Sequence, residues 1–149
     1  VRYIAKKGKP VIISTGTANL EEVKETVEAF FETGNQDLAL MQCTASYPAP
    51  LQALNLRVIA TMKNAFGVPV GFSDHSLGYD LALAAVALGA RVIEQHITLD
   101  RNSPQKAEHH FALEPDELKI LVKKIKEQNH KLIRIRYKQE LLWKVSSTV

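Results

Sequence analysis

The sequence predicts an α/β fold with a parallel sheet, built from four β-then-α units. Two observations carry that expectation. Short runs of Val, Ile and Leu recur at intervals of roughly 24 to 30 residues, the size of one βα unit. Between them, apolar residues fall at spacings of three and four, the period of a helix that buries one face.

The first strand reads Val11-Ile12-Ile13-Ser14-Thr15, a continuous apolar run of the kind seen when helices cover both faces of a sheet, and Gly16 ends it. A helix follows from Leu20 to Phe31, with Leu20, Val23, Val27, Phe30 and Phe31 on one stripe and Glu21 and Glu22 in its first turn. Gly34-Asn35 stops it. The second strand is Leu38 to Cys43, and the proline-punctuated Tyr47-Pro48-Ala49-Pro50 after it reads as a binding loop. Its helix carries Leu54, Val58, Ile59, Met62 and Phe66 and stops at Gly67. The third strand, Val68 to His75, leads into an alanine- and leucine-rich helix from Leu77 to Leu88 with Gly89 at its end. The fourth starts at Arg91, passes His96 and ends near Thr98. A loop from Leu99 to Ala112 follows, and Glu114-Pro115-Asp116-Glu117 opens the last helix.

A closed parallel barrel of such units needs eight strands and about 250 residues. The 149 residues supply half, so the sequence predicts a partial (β/α)8 barrel over residues 1–130, with a basic tail of unassigned role from 131 to 149. Val1 runs straight into Lys6-Lys7-Gly8-Lys9-Pro10, which reads as a loop before a strand and as the interior of a larger protein. Outer strands this apolar are poorly suited to exposure, so a partner chain, a second copy or the remaining barrel half is expected against them. The rival architecture is an open doubly wound sheet, although no glycine-rich GxGxxG phosphate loop is present.

Composition narrows the function. A hydrophobic fraction of 46% against 23% charged residues excludes a disordered chain. One cysteine, Cys43, cannot make an internal disulfide, and no secretory leader pattern opens the sequence, which points to the cytoplasm. No apolar run approaches the roughly 20 residues of a membrane span. The net charge of +3 is concentrated after Leu118, in lysines and arginines without interleaved aromatics, so neither a membrane nor nucleic acid is an expected partner.

Chemistry concentrates at two strand ends. His75 and His96 each close a strand, and neighbouring parallel strands joined by a helix bring their carboxyl ends together at one mouth. Two imidazoles there suit a divalent metal: manganese, zinc, iron or cobalt rather than the oxygen-preferring magnesium. Two residues earlier, on the same face, stand Ser73 and Glu94. Four polar side chains are costly to bury without a ligand, which favours a site over a core. A strand-capping role for each histidine is the alternative. Ser14 and Tyr47 occupy equivalent rim positions from which either can donate a hydrogen bond to an anionic or hydroxylated ligand; loop hydrogen bonding is the plainer reading of both. Glu108, His109 and His110 lie in the loop after the fourth strand. No GxSxG elbow supports a serine hydrolase.

The segments Gly8-Lys9-Pro10-Val11-Ile12-Ile13-Ser14-Thr15-Gly16, Cys43-Thr44-Ala45-Ser46-Tyr47-Pro48-Ala49-Pro50, Gly71-Phe72-Ser73-Asp74-His75-Ser76-Leu77-Gly78 and Glu94-Gln95-His96-Ile97-Thr98-Leu99-Asp100-Arg101 occur in that order. Together they resemble the N-acetylneuraminate (sialic acid) synthase family with its legionaminic and pseudaminic acid relatives, over about residues 8 to 126. The resemblance implies the carboxyl-terminal half of a (β/α)8 barrel that condenses phosphoenolpyruvate with an N-acylated amino sugar such as N-acetylmannosamine. It implies that His75 and His96 hold Mn2+ or a similar ion, that Ser14 and Ser73 hold phosphoenolpyruvate, and that Tyr47 contacts the sugar. The family's Pro-Gly-Pro-Asp-His loop reads Pro104-Gln105-Lys106-Ala107-Glu108-His109 here, which makes Glu108 the stand-in for its carboxylate. Ala45 replaces an asparagine of some members. The phosphate-holding lysines belong to the other barrel half, which implies that this chain alone is inactive. A noncatalytic fragment that assembles through its sheet edges, and another metal-dependent aldolase, are the competing readings.

Overall fold

A computed structural model describes residues 1–102 and 108–128. The expected tail, 131–149, lies outside the described residues, as do Pro104, Gln105, Lys106 and Ala107. After a short helix, α1 (Arg2–Ala5), come β1 (Val11–Ser14), α2 (Leu20–Phe31), β2 (Leu38–Cys43), α3 (Val58–Phe66), β3 (Val70–Asp74), α4 (Asp80–Ala87) and β4 (Ile93–Gln95). A fifth helix, α5, occupies 115–128. The four strands pair in parallel in the order β1-β2-β3-β4, half of a barrel sheet.

Alternation along the strands separates two faces. Val11, Ile13, Leu38, Leu40, Val70 and Phe72 turn outward and pack with Val23, Val27 and Phe30 of α2 and Ile59 and Met62 of α3. Phe30, Leu40, Ile59 and Phe72 have no exposed surface, and each such side chain contributes roughly 1.5–3 kcal/mol through burial. The opposite face, which would line a barrel's interior, carries Met41, Gly71, Ser73 and Glu94. Gly71 is small for a reason. A Cβ there would stand 2.4 Å from the Met41 sulfur and 2.6 Å from the Val92 carbonyl oxygen.

Several boundaries move inward from the sequence expectation. The third strand stops at Asp74 and the fourth at Gln95, so both histidines sit one residue past their strands. The third helix starts at Val58 rather than Leu54, because Leu51–Ala53 forms a separate 3-10 turn. The fourth helix starts at Asp80 rather than Leu77, and Gly78, at a φ of 77°, turns the chain before it. β1 and β4 are the sheet's edges, and Ile12 within β1 and Ile97 just past β4 are 56% and 66% exposed. Among the described residues no helix is long and apolar enough to cross a membrane.

Candidate metal and substrate site

The His75 and His96 rings stand at the carboxyl ends of adjacent strands, with centroids 5.2 Å apart and planes nearly perpendicular at 80°. The register Ser73↔Glu94 sets this up, since each histidine lies two residues beyond a member of that pair. His75 is buried and His96 partly open.

Each ring is held by its Nδ1. His75 Nδ1 lies 2.8 Å from the Thr44 carbonyl, which can only accept, so Nδ1 carries the proton and Nε2 offers a lone pair. His96 Nδ1 donates to the Glu108 carboxylate at 2.9 Å. A carbonyl or carboxylate behind one nitrogen of an imidazole is the outer support that metal-ligating histidines need, and here both rings have it. The donor set therefore fits a divalent ion. Among the described residues no three His, Cys, Asp or Glu side chains converge on one point, which leaves the two imidazoles as the candidate donors on this chain.

Ser73 joins the strands chemically. Its hydroxyl donates to Glu94 Oε1 at 2.5 Å and lies 3.1 Å from His75 Nε2. Tyr47 stacks on His75 with ring centroids 4.3 Å apart, and Phe111 packs against His96 at 4.9 Å, closing an aromatic collar around the imidazoles. His109 adds a link below the rim, its Nδ1 2.6 Å from the buried Thr98 hydroxyl. His110 packs edge-on against Phe111.

The geometry gathers His75, His96, Ser73, Glu94, Tyr47 and Glu108. Ser14 is not among them. The pairing Ser14↔Met41↔Gly71 places it two strands away and one pleat below Ser73, so it does not share the rim with Tyr47 as the sequence suggested. That offset follows from the stagger of the strands, which pattern reading cannot supply. Gly16, level with Cys43 and Ser73 on that count, donates its N–H to the Cys43 sulfur at 3.2 Å.

A NeuB family profile matches residues 1–136. The chain belongs to the NeuB family. This NeuB chain is 45% identical over 129 residues to the N,N'-diacetyllegionaminic acid synthase of Campylobacter jejuni, an alignment covering 85% of the chain and 38% of that relative. It superposes on the spore coat polysaccharide biosynthesis protein SpsE of Bacillus subtilis with a TM-score of 0.86 and 42% identity, covering 89% of this chain and 37% of that one. The N-acetylneuraminic acid (sialic acid) synthetase of Leptospira borgpetersenii, solved with citrate, gives a TM-score of 0.83 at 37% identity, covering 88% and 45%. The chain thus spans less than half the length of each of these relatives.

Sequence reasoning passed over Asp74, Thr98 and Phe111. Asp74 is the most unusual of them. Its Oδ1 accepts from the Ser76 N–H and hydroxyl, its Oδ2 is buried with no hydrogen-bond partner among the described residues, and burial raises its pKa above the ordinary carboxylate value. Its place directly before His75 was the available signal. For Thr44, which acts through its carbonyl, the sequence held none.

Proposed function

We propose that this NeuB chain is the carboxyl-terminal half of a barrel that condenses phosphoenolpyruvate with an N-acylated amino sugar, yielding a nine-carbon sialic-type acid and phosphate. The observation that carries the reading is the pair of nearly perpendicular imidazoles, each held through Nδ1, with His75 Nε2 turned to the Ser73 hydroxyl at 3.1 Å. His75 and His96 would hold Mn2+ or a similar divalent ion. The chemistry such an ion supplies when bound is polarisation of the sugar's carbonyl oxygen.

The chain's own side chains divide the remaining work. Ser73 presents its hydroxyl beside His75 as a contact for phosphoenolpyruvate, and Ser14 would reach that substrate from the layer below. Tyr47, stacked over His75, forms an apolar wall with a hydroxyl for the amino sugar, and Glu94 and Glu108 supply acceptors for sugar hydroxyls. A phosphate group needs cationic partners, which this reading assigns to the other barrel half. On that basis the 149-residue chain is inactive alone and pairs along β1 and β4 with the missing strands.

Titration of the chain with Mn2+, followed by electron paramagnetic resonance, tests the metal site without relying on turnover. His75→Ala and His96→Ala should each weaken binding by at least about 100-fold, while far-UV circular dichroism stays as in the parent. Equal affinity in all three proteins would overturn the assignment. Phosphate release from phosphoenolpyruvate and N-acetylmannosamine should appear only when the other barrel half is added, and turnover by this chain alone would refute the half-site reading.

A further inference from the structure

We propose that Arg101 is a positioning residue for the His96 ring, acting through Ala112 and the turn that carries Glu108 and Phe111. Two backbone bonds first bring the loop's far end home: Leu113 donates to the His96 carbonyl at 2.8 Å and Thr98 donates to the Leu113 carbonyl at 2.9 Å. Arg101 then ties this junction to α5. Its Nε and Nη2 both donate to the Ala112 carbonyl, at 3.3 and 3.1 Å, and its guanidinium pairs with Glu117. Its backbone N–H donates to Glu114 Oε1 at 2.9 Å. Glu117 in turn accepts the Glu114 N–H at 2.9 Å, so the anchor is the first turn of a helix rather than a free side chain.

Ala112 connects this anchor to the imidazole. Its N–H closes a turn on the His109 carbonyl at 3.3 Å, and that turn places Glu108 on His96 Nδ1 and the buried Phe111 ring against the His96 face. A planar fork that grips one carbonyl twice while meeting a carboxylate is a task for arginine, because lysine offers a single ammonium point. Arg101 touches none of the candidate ligands itself, so its influence is on where the His96 ring stands.

The ring can be read directly. In the metal-free 149-residue chain labelled with 15N-histidine, the His96 Nδ1 resonance of Arg101→Gln should move to the position seen in Glu108→Ala, where the acceptor for Nδ1 is gone. Arg101→Lys, which keeps one donor for the Ala112 carbonyl, should move part of the way, and it carries the test if Arg101→Gln does not fold. An unshifted His96 resonance in the folded variants, whatever their melting temperature, would overturn the proposal.

A second readout rests on the metal assignment above. Mn2+ affinity should fall about tenfold in Arg101→Gln and in Glu108→Ala, with the double variant no weaker than Glu108→Ala alone. Additive losses would mean that Arg101 does not act through Glu108, and would overturn the proposal. If the parent chain binds no Mn2+, the metal assignment fails while the ring resonance still decides the role of Arg101.

Discussion

Thr44 fixes which nitrogen His75 presents, because its carbonyl takes the Nδ1 proton at 2.8 Å. The two residues stand one step past the ends of β2 and β3, whose register pairs Cys43 with Ser73. One strand end thus orients the functional side chain of the next. The loop after β2 completes the hold, with Ala49 N–H donating to the His75 carbonyl at 2.8 Å and Tyr47 lying flat on the ring. A histidine restrained at backbone, edge and face is fixed in one orientation by its surroundings.

Ser73→Ala should cost about 1–3 kcal/mol, since the buried hydroxyl donates to a carboxylate at 2.5 Å. Glu94→Gln keeps an oxygen acceptor for the same donor and should cost less than about 1 kcal/mol. Urea denaturation of both variants measures the difference. Equal losses would show that a neutral oxygen does not serve the Ser73 hydroxyl and that the bond requires the charge on Glu94.

Gly71→Ala should destabilise the chain by about 1–3 kcal/mol or more, because the added methyl has nowhere to go. Its neighbours are the Met41 sulfur at 2.4 Å, which can swing, and the Val92 backbone oxygen at 2.6 Å, which cannot. Met41→Ala empties part of a fully buried site and is destabilising in itself, so the informative quantity is the cost of Gly71→Ala on that background, which should be smaller than in the parent but not zero. A cost of zero there, read from urea midpoints, would place the obstruction in the Met41 side chain alone.

The elements most legible in the sequence were those whose signal is local. The strand Leu38–Cys43 and the helix Leu20–Phe31 were expected with the bounds observed, because apolar period and start signals act over a few residues. The convergence of His75 and His96 was also legible, since parallel topology forces consecutive strand ends together. What escaped depended on distances across the sheet. Ser14 stands a pleat too low because its strand is staggered against β2 and β3, and Thr44 acts through a backbone atom that carries no residue-type signal. Arg101 and Glu117 stand 16 residues apart in the sequence, and only the fold pairs them.

Asn19→Ala should destabilise the chain by about 1 kcal/mol without moving the His75 and His96 ring resonances. Asn19 Oδ1 accepts the N–H groups of Glu21 and Glu22 at 3.0 and 3.1 Å, and the Glu22 carboxylate accepts the Asn19 N–H at 2.8 Å. Alanine leaves those first-turn donors to water, whereas Asn19→Asp keeps an acceptor and adds a charge that suits the positive end of α2. The aspartate variant should match or exceed the parent in a thermal melt. A melt as low as that of the alanine variant would show that the reciprocal bonds contribute nothing to α2.

Acid should loosen the Arg101–Glu117 anchor before the core gives way. The Glu114 N–H, followed by the Arg101 guanidinium, holds the Glu117 pKa below its usual 4.5. A lowered folded-state pKa means that the fold favours the ionised form. Its contribution to stability is complete above about pH 4.5 and disappears as the pH falls through the folded value. Asp74 runs the other way. Burial lifts its pKa above 3.8, so the fold favours its protonated form, and that contribution is present below 3.8 and lost as the pH rises through the folded value. Comparing urea midpoints of the parent and Glu117→Gln from about pH 6 down to about pH 3 isolates the first effect, since Asp74 is common to both. The parent should be the more stable at the upper end, and the gap should close on acidification. A gap that stayed constant across the range would show that the ionisation of Glu117 does not stabilise the anchor.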